Sequence, residues 1–273
     1  MQYDPIKRSL GKVFNQTPSL RKFFYCLLDI LLLRAWHINS ALRRMKLPKD
    51  AAILDAGSGF GQYTYRMSRI FRDAHVLAVD VKEEQIADCN RFFLAIGGSN
   101  RVQFQYVDLT TFQQENTFDL VLSVDVMEHI EEDVQVFKNF HHAMKDGGVL
   151  LISTPSDQGG SDSHHDHDHH NDGATGFIDE HVRDGYGIQE IEDKLKLAGF
   201  SSVEAKYAYG TAGKISWKLS MKFPILALGV SKLFFILLPF YYLVVFPWCL
   251  LLNWIDLKGT HQTGTGLIVK AIK

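Results

Sequence analysis

Disulfide and zinc chemistry have little to work with in this chain. Its three cysteines, Cys26, Cys89 and Cys249, are odd in number, widely spaced and without a C-x-x-C pair, so neither a disulfide framework nor a zinc knuckle is expected. A reducing cytosol suits them. An excess of positive charge is also missing, since 29 Lys and Arg stand against 31 Asp and Glu. Without a basic field to collect phosphate backbones, nucleic acid is not expected as a partner. No signal peptide is expected either: Lys7, Arg8, Lys12, Arg21 and Lys22 precede "FFYCLLDILLL", but that run starts late, contains Asp29 and lacks a small-residue cleavage site. There is no internal repeat. Finally, no charge at all falls between Lys232 and Asp256, where residues 233–255 read "LFFILLPFYYLVVFPWCLLLNWI". That stretch reaches the roughly 20 apolar residues of a bilayer-crossing helix.

The content that is present, 46% hydrophobic and 22% charged, suits one large globular domain or one domain with an insertion. Short apolar runs alternate with longer helical patterns, as in βα units that stack into a parallel sheet. "AAILDA", "AHVLAVDV", "RVQFQYVD", "FDLVLSVDV" and "GGVLLISTP" are five candidate strands. Between them "FGQYTYRMSRIF", "KEEQIADCNRFFLAI" and "EEDVQVFKNFHHAMK" read as helices, the last with Lys145 in its final turn before Gly147 and Gly148. "GIQEIEDKLKLAGF" adds a helix closed by Gly199, "SSVEAKYAY" a sixth strand and "GLIVKAIK" a last one.

The chemistry starts at "ILDAGSGFG", where a strand ends in Asp55 and runs into Gly57, Gly59 and Gly61 ahead of a helix. Glycines at a βα turn permit tight backbone geometry and close approach of a ligand, and the helix start offers free N–H groups. A nucleotide-like ligand is implied, with a bland tight turn as the alternative. Two further strands end in carboxylates, Asp80 and Asp108, and Asp80 lies where a Rossmann-type site places an acid for ribose hydroxyls.

Over residues 45–210 the chain resembles the class I S-adenosylmethionine-dependent methyltransferases, specifically the small-molecule group with a "D-x-G-x-G-x-G" first motif. The resemblance implies that Asp55, Gly57, Gly59 and Gly61 line the methionine end of S-adenosylmethionine and that Asp80 holds the ribose. It also implies that Asp108 with Leu109 meets the adenine and that Ser123, after the fourth strand, flanks the sulfonium. The rival fingerprint of nicotinamide-dependent oxidoreductases, G-x-G-x-x-G, is not matched, because the third glycine comes one residue early.

"SVDVMEHIEE" resembles the E-x-x-E-H stretch of methyltransferases near the ubiquinone-pathway O-methyltransferases, where two acids and a histidine hold a divalent ion. Asp125, Glu128 and His129 match it, with aspartate in place of the first glutamate. The reading preferred over a divalent metal is that Glu128 and His129 shape the loop. His129 also stands as a candidate base on a phenol or enol, its unperturbed pKa of about 6.5 suiting neutral pH. Beyond the fifth strand, five histidines within His164 to His170 form a tract read as a solvated loop, with transition-metal binding as its alternative. His181, Arg183 and Tyr186 then stand as candidate substrate contacts, against a structural Arg–carboxylate pairing.

If the last strand returns to the sheet, as the resemblance implies, residues 211–263 must leave and come back on one side of any membrane. Pro239 divides the apolar stretch into arms of about 16 residues, each short of a ~30 Å hydrocarbon core. A hairpin dipping into the cytoplasmic leaflet over residues 213–258 is therefore expected, with Tyr241, Tyr242, Trp248 and Trp254 at the interface and Lys214, Lys218, Lys222, Lys232 and Lys258 beside it. In residues 19–46, Phe23, Phe24, Leu27, Leu28, Leu31, Leu32 and Trp36 cover a broad helical face, suited to a membrane surface, to capping the cofactor cleft, or to both.

The expectation is thus a Rossmann-like, doubly wound α/β protein with a mostly parallel seven-stranded sheet. Residues 1–48 form a helical cap, 49–210 the core, 211–263 an apolar hairpin and 264–273 the last strand. The expected function is a membrane-associated methyltransferase using S-adenosylmethionine on a hydrophobic small molecule or lipid-like acceptor, with oxygen the first choice of accepting atom. A non-enzymatic cofactor-binding or membrane-recruitment module and a nicotinamide-dependent oxidoreductase are the alternatives.

Overall fold

In the computed structural model, residues 17–159, 182–231 and 234–273 are described. Two helices, α1 (Pro18–Leu31) and α2 (Leu33–Arg44), precede a sheet built from β1 (Ala52–Ala56), β2 (His75–Asp80), β3 (Val102–Tyr106), β4 (Phe118–Val124), β5 (Met144–Pro155), β6 (Ser202–Ala208) and β7 (Gly266–Ile272). Helices α3 (Gln62–Ile70), α4 (Glu83–Ala95), α5 (Asp133–Ala143) and α6 (Ile188–Leu197) connect the strands. The order across the sheet is β3-β2-β1-β4-β5-β7-β6. Every pairing from β3 to β5 is parallel, and β7 runs antiparallel between β5 and β6.

Alternate residues of each central strand supply opposite faces. Leu54 and Val121 join Phe137, Phe140, Ile191 and Leu195 of α5 and α6. Ile53, Leu120 and Leu122 join Ile38 and Leu42 of α2, Met67 of α3 and Cys89, Phe92 and Phe93 of α4. Both faces are covered, which is why the middle strands read as continuous apolar runs. The expected fold class is the observed one, with a corrected boundary at α5. That helix stops at Ala143, and Lys145 lies in β5, where its Nζ reaches Asp119 at 2.8 Å. Gly147, at φ 76°, accompanies a break in register between β4 and β5, so the glycine pair sits within a strand irregularity and does not follow a helix.

Because β7 is antiparallel, residues 209–265 leave the sheet and rejoin it at the edge where β1 also ends. The excursion is a helical hairpin. Its first arm runs through α7 (Thr211–Trp217), a π-helical turn (Lys218–Lys222) and α8 (Phe223–Val230). Its second arm is α9 (Phe234–Lys258). The bend is not at Pro239. Pro239 and Pro247 both lie inside α9, and the chain turns at Ser231, whose φ −156° and ψ 133° leave the helical region. Each proline deletes one backbone hydrogen bond. The arms are nevertheless tied together, Tyr241 donating to the Leu219 carbonyl and Tyr242 to the Ser220 carbonyl, each at 2.7 Å. With 25 residues, α9 is about 37 Å long, so the arms are longer than the sequence suggested. Ile236–Lys258 is long and apolar enough to cross a membrane, and it is mostly exposed. Among the described residues of this arm, burial is confined to its base, at Cys249, Asn253 and Asp256.

Candidate cofactor and acceptor site

The turn after β1 is built from left-handed backbone: Gly57, Gly59 and Gly61 have φ of 81°, 53° and 81°, a region that L side chains avoid. Their surroundings differ. A Cβ on Gly57 would overlap the Val126 side chain, and one on Gly61 would press on Cys89 and Phe104, whereas the space around Gly59 is open apart from Gln85. Two glycines therefore allow close packing, and the middle one leaves room for a ligand.

Asp80, at the end of β2, accepts from Gly59 N at 2.8 Å and from Lys82 N at 3.0 Å. It ties the glycine turn to β2 while keeping acceptor capacity for further donors. Asp55 is 2% exposed and accepts from Thr64 Oγ1 at 2.5 Å. Burial pushes its carboxyl up to about 7, and the nearby charge of Asp80 adds to the rise. Asp108 is exposed and caps the short turn Leu109–Thr111, accepting from Thr110 N and Oγ1, with Leu109 buried behind it. Ser123 lies inside β4 opposite Ala56 and does not follow the strand. Its hydroxyl and that of Ser58 are buried without a hydrogen-bond partner.

The acids after β4 are already engaged. Asp125, itself at φ 52°, pairs with Arg34 from α2. Glu128 is 1% exposed and accepts from Thr154 Oγ1 at 3.1 Å, and burial raises its carboxyl above the usual range. His129 is exposed in a 3₁₀ turn. Among the described residues, no three His, Cys, Asp or Glu side chains gather in a metal-holding group. The tract His164 to His170 and the candidate contact His181 lie outside the described residues.

Arg183 and Tyr186 converge on one carboxylate rather than on a pocket. Arg183 pairs with Asp133 and donates to the Ile130 carbonyl at 2.7 Å. Tyr186, with no exposed surface, donates to Asp133 Oδ2 at 2.8 Å, and Lys194 reaches the same oxygen at 2.8 Å. In this arrangement both side chains anchor the segment before α6, with Tyr186 fully buried.

One feature of the site escaped the sequence reading. In α1, Arg21, Tyr25 and Asp29 recur every fourth residue, a polar stripe along a helix rich in apolar residues. The stripe faces inward. Arg21 Nη2 and the Tyr25 hydroxyl both donate to the Phe60 carbonyl, at 2.8 and 2.5 Å. Asp29 accepts from Gln62 and pairs with Arg66 of α3. Phe23 and Ile30 face outward. The spacing of four is the signal that the sequence carries for this stripe.

A "Methyltransferase domain" family model matches residues 47–198. Phosphoethanolamine N-methyltransferase 1 of Triticum aestivum is 30% identical over 164 residues, 60% of this chain and 31% of that protein. The ubiquinone biosynthesis O-methyltransferase of Xanthomonas axonopodis pv. citri is 28% identical over 107 residues, 39% of this chain and 44% of that one. The chain thus spans about a third of the length of the first curated relatives that it matches. In structure it is similar to phosphoethanolamine N-methyltransferase 2 of Haemonchus contortus, solved in complex with S-adenosyl-L-methionine, at a TM-score of 0.57, with 20% identity, 87% of this chain and 52% of that chain covered.

Proposed function

The chain belongs to the methyltransferase domain family, matched over residues 47–198, and we propose that it transfers the methyl group of S-adenosylmethionine to a hydrophobic, lipid-like acceptor at a membrane surface. The cofactor fits this sheet edge. Gly59 offers open space, the Asp80 carboxylate suits ribose hydroxyls, and the buried Asp55 carboxyl suits a cationic amino group. When bound, S-adenosylmethionine supplies an electrophilic methyl carbon on a sulfonium. What the chain has to contribute is alignment of the acceptor with that carbon at about 3 Å and exclusion of water. The α1 stripe serves exclusion by closing over the glycine turn.

The observation that carries the membrane reading is that both ends of the hairpin start at this same sheet edge. Phe223, Leu226, Ile236, Phe240, Leu243, Val244 and Trp248 on the hairpin and Phe23 on α1 are all at least half exposed. Burying such side chains in lipid at roughly 1.5–3 kcal/mol each outweighs the roughly 1 kcal/mol per lysine of surface attraction. Monotopic insertion into the cytoplasmic leaflet suits a segment whose ends are both fixed to one sheet.

Incubation with methyl-labelled S-adenosylmethionine and extracted membrane lipids tests the activity. Label is expected in a lipid or quinone fraction, and mass spectrometry of that product identifies the accepting atom. Calorimetry showing no binding of S-adenosylmethionine or its demethylated product would overturn the cofactor reading.

A further inference from the structure

Three basic side chains line a cavity at the amino end of β3, on the sheet edge opposite the glycine turn and the hairpin. Lys22 comes from α1, Arg69 from α3 and Arg101 from the turn before β3, with Tyr65 and Phe93 also in the wall. The cavity has a volume of about 180 Å³. A water occupies roughly 30 Å³, so a group of five heavy atoms such as phosphate fits. Gly97, in the same lining at φ 73°, has nothing within 4 Å of where a Cβ would stand.

Charge singles this cavity out. None of the described residues that line it carries a carboxylate. Among the described residues, neither the Lys22 nor the Arg69 side chain has a hydrogen-bond or ion-pair partner. Arg101 is held in place by donating Nη1 to the Ala74 carbonyl at 3.2 Å, which leaves its other N–H groups for a further acceptor. On α1, on the turn after α3 and on α4, the acids Asp29, Asp73 and Asp88 are paired with Arg66, Lys49 and Arg91. Helices α3 and α4 both end beside the cavity, and a helix C-terminus is equivalent to about −0.5 charge. Two such ends offset about one of the three cations, so close to two positive charges are left. Nor do these ends need the cations as caps: Phe71 N donates to the Met67 carbonyl, and Ile96, Gly97 and Gly98 N donate to carbonyls of α4.

We propose that Lys22, Arg69 and Arg101 form a binding site for the phosphate group of a small soluble molecule, separate from the methyl-donor site. A phosphate monoester carries about −1.5 to −2 charge at neutral pH, which matches the residual charge of the cavity. Its oxygens can accept from two guanidinium forks and one ammonium. A lipid phosphate shares this chemistry, but the hairpin leaves the sheet from the other edge, and β3, with five residues, sets the two edges about 16 Å apart. Occupancy ties α1 to α3 and to the start of β3, since each supplies one cation.

Calorimetry on the intact chain at constant, physiological ionic strength tests the site. The probes are inorganic phosphate, glycerol 3-phosphate, acetate, glycerol, and dihexanoyl phosphatidic acid below its micelle concentration. Inorganic phosphate and glycerol 3-phosphate are expected to bind at least ten-fold more tightly than acetate or glycerol, and to lose ten-fold or more in a Lys22→Met, Arg69→Gln double variant. Both residues are exposed, so this variant should fold, and its affinity for S-adenosylhomocysteine should stay within two-fold. Arg69→Glu alone should abolish phosphate binding. Phosphatidic acid binding ten-fold or more tightly than glycerol 3-phosphate, with that preference lost in the double variant, makes the site one for a lipid headgroup and overturns the soluble ligand. Phosphate binding no more tightly than acetate, or unchanged in either folded variant, means an adventitious ion only and overturns the site.

Discussion

Arg21 Nη2 donates to the carbonyl oxygen of Phe60 at 2.8 Å, so a helix 39 residues upstream holds the glycine turn from above. Arg21 is 3% exposed, stacks on Phe92 at 4.8 Å and also reaches the Asp88 carbonyl at 3.1 Å. Charge-assisted hydrogen bonds contribute about 1.5–3 kcal/mol each. Arg21→Ala should therefore lower unfolding stability by about 3 kcal/mol and weaken S-adenosylhomocysteine binding about ten-fold. Tyr25→Phe, losing one hydroxyl, should cost about 1 kcal/mol. Calorimetric affinity unchanged in a folded Arg21→Ala protein would show that the cap does not shape the turn.

Asp55 should make cofactor binding depend on pH. With its carboxyl near 7 in the ligand-free protein, the anion that suits a cationic amino group forms only above that point. Affinity should fall as pH drops from 8 to 6, with about one proton released per cofactor bound at pH 6. Stability runs the other way. A carboxyl raised from its unfolded value near 4 is tolerated while neutral, at low pH, and its stability contribution is lost as pH rises through 7. Asp55→Asn should thus be more stable than the wild type at pH 8, by up to about 4 kcal/mol, while losing affinity. Identical melting curves at pH 8 would remove the buried-charge account.

The hairpin geometry selects which side chains to change. Tyr242 bonds across the arms at the Ser220 carbonyl, so its replacement would disturb the hairpin itself. Ile236, Phe240, Leu243 and Val244, each two-thirds or more exposed, form the outward row. Replacing these four with serine should abolish co-sedimentation with lipid vesicles, which in the wild type should survive 1 M salt and yield to detergent. Cofactor-product affinity should not change. Protease sites on both sides of the hairpin should be open from the same membrane face. Residues 260–273 cleaved only from the opposite face would mean that α9 crosses.

Asp133 sets an acid limit. Burial disfavours its carboxylate, yet hydrogen bonds from Lys194 and Tyr186 and the charge of Arg183 hold it below the usual range. The stability this gives is present above the unfolded value of about 4 and lost as pH falls through the lower folded one. Tyr186→Phe should cost about 1 kcal/mol at pH 7 and leave KM for the methyl acceptor unchanged. A large rise in KM at constant stability would restore Tyr186 as a substrate contact.

The sheet and the glycine turn were legible because each depends on local pattern. Apolar runs of strand length between helical periods dictate a parallel sheet covered on both faces, and only glycine occupies the φ of 81° at positions 57 and 61 without strain. The acids Asp55 and Asp80 were legible for the same reason, at the ends of β1 and β2, whereas Asp108 lies two residues beyond the end of β3 and caps the turn Leu109–Thr111. What local pattern could not show was direction and partnership. Pro239 marks a break in an isolated helix, yet the arm continues, because the Leu219 and Ser220 carbonyls bond Tyr241 and Tyr242 from the facing arm. Arg183 and Tyr186 looked like substrate contacts until Asp133, some 50 residues upstream, took their donors. Arg34 and Tyr209 carried no signal beyond their polarity, and Arg21 and Tyr25 only their spacing of four. Only folding brings them to the glycine turn and to the foot of the hairpin, since a hydrogen bond depends on distance in space and the sequence records distance along the chain.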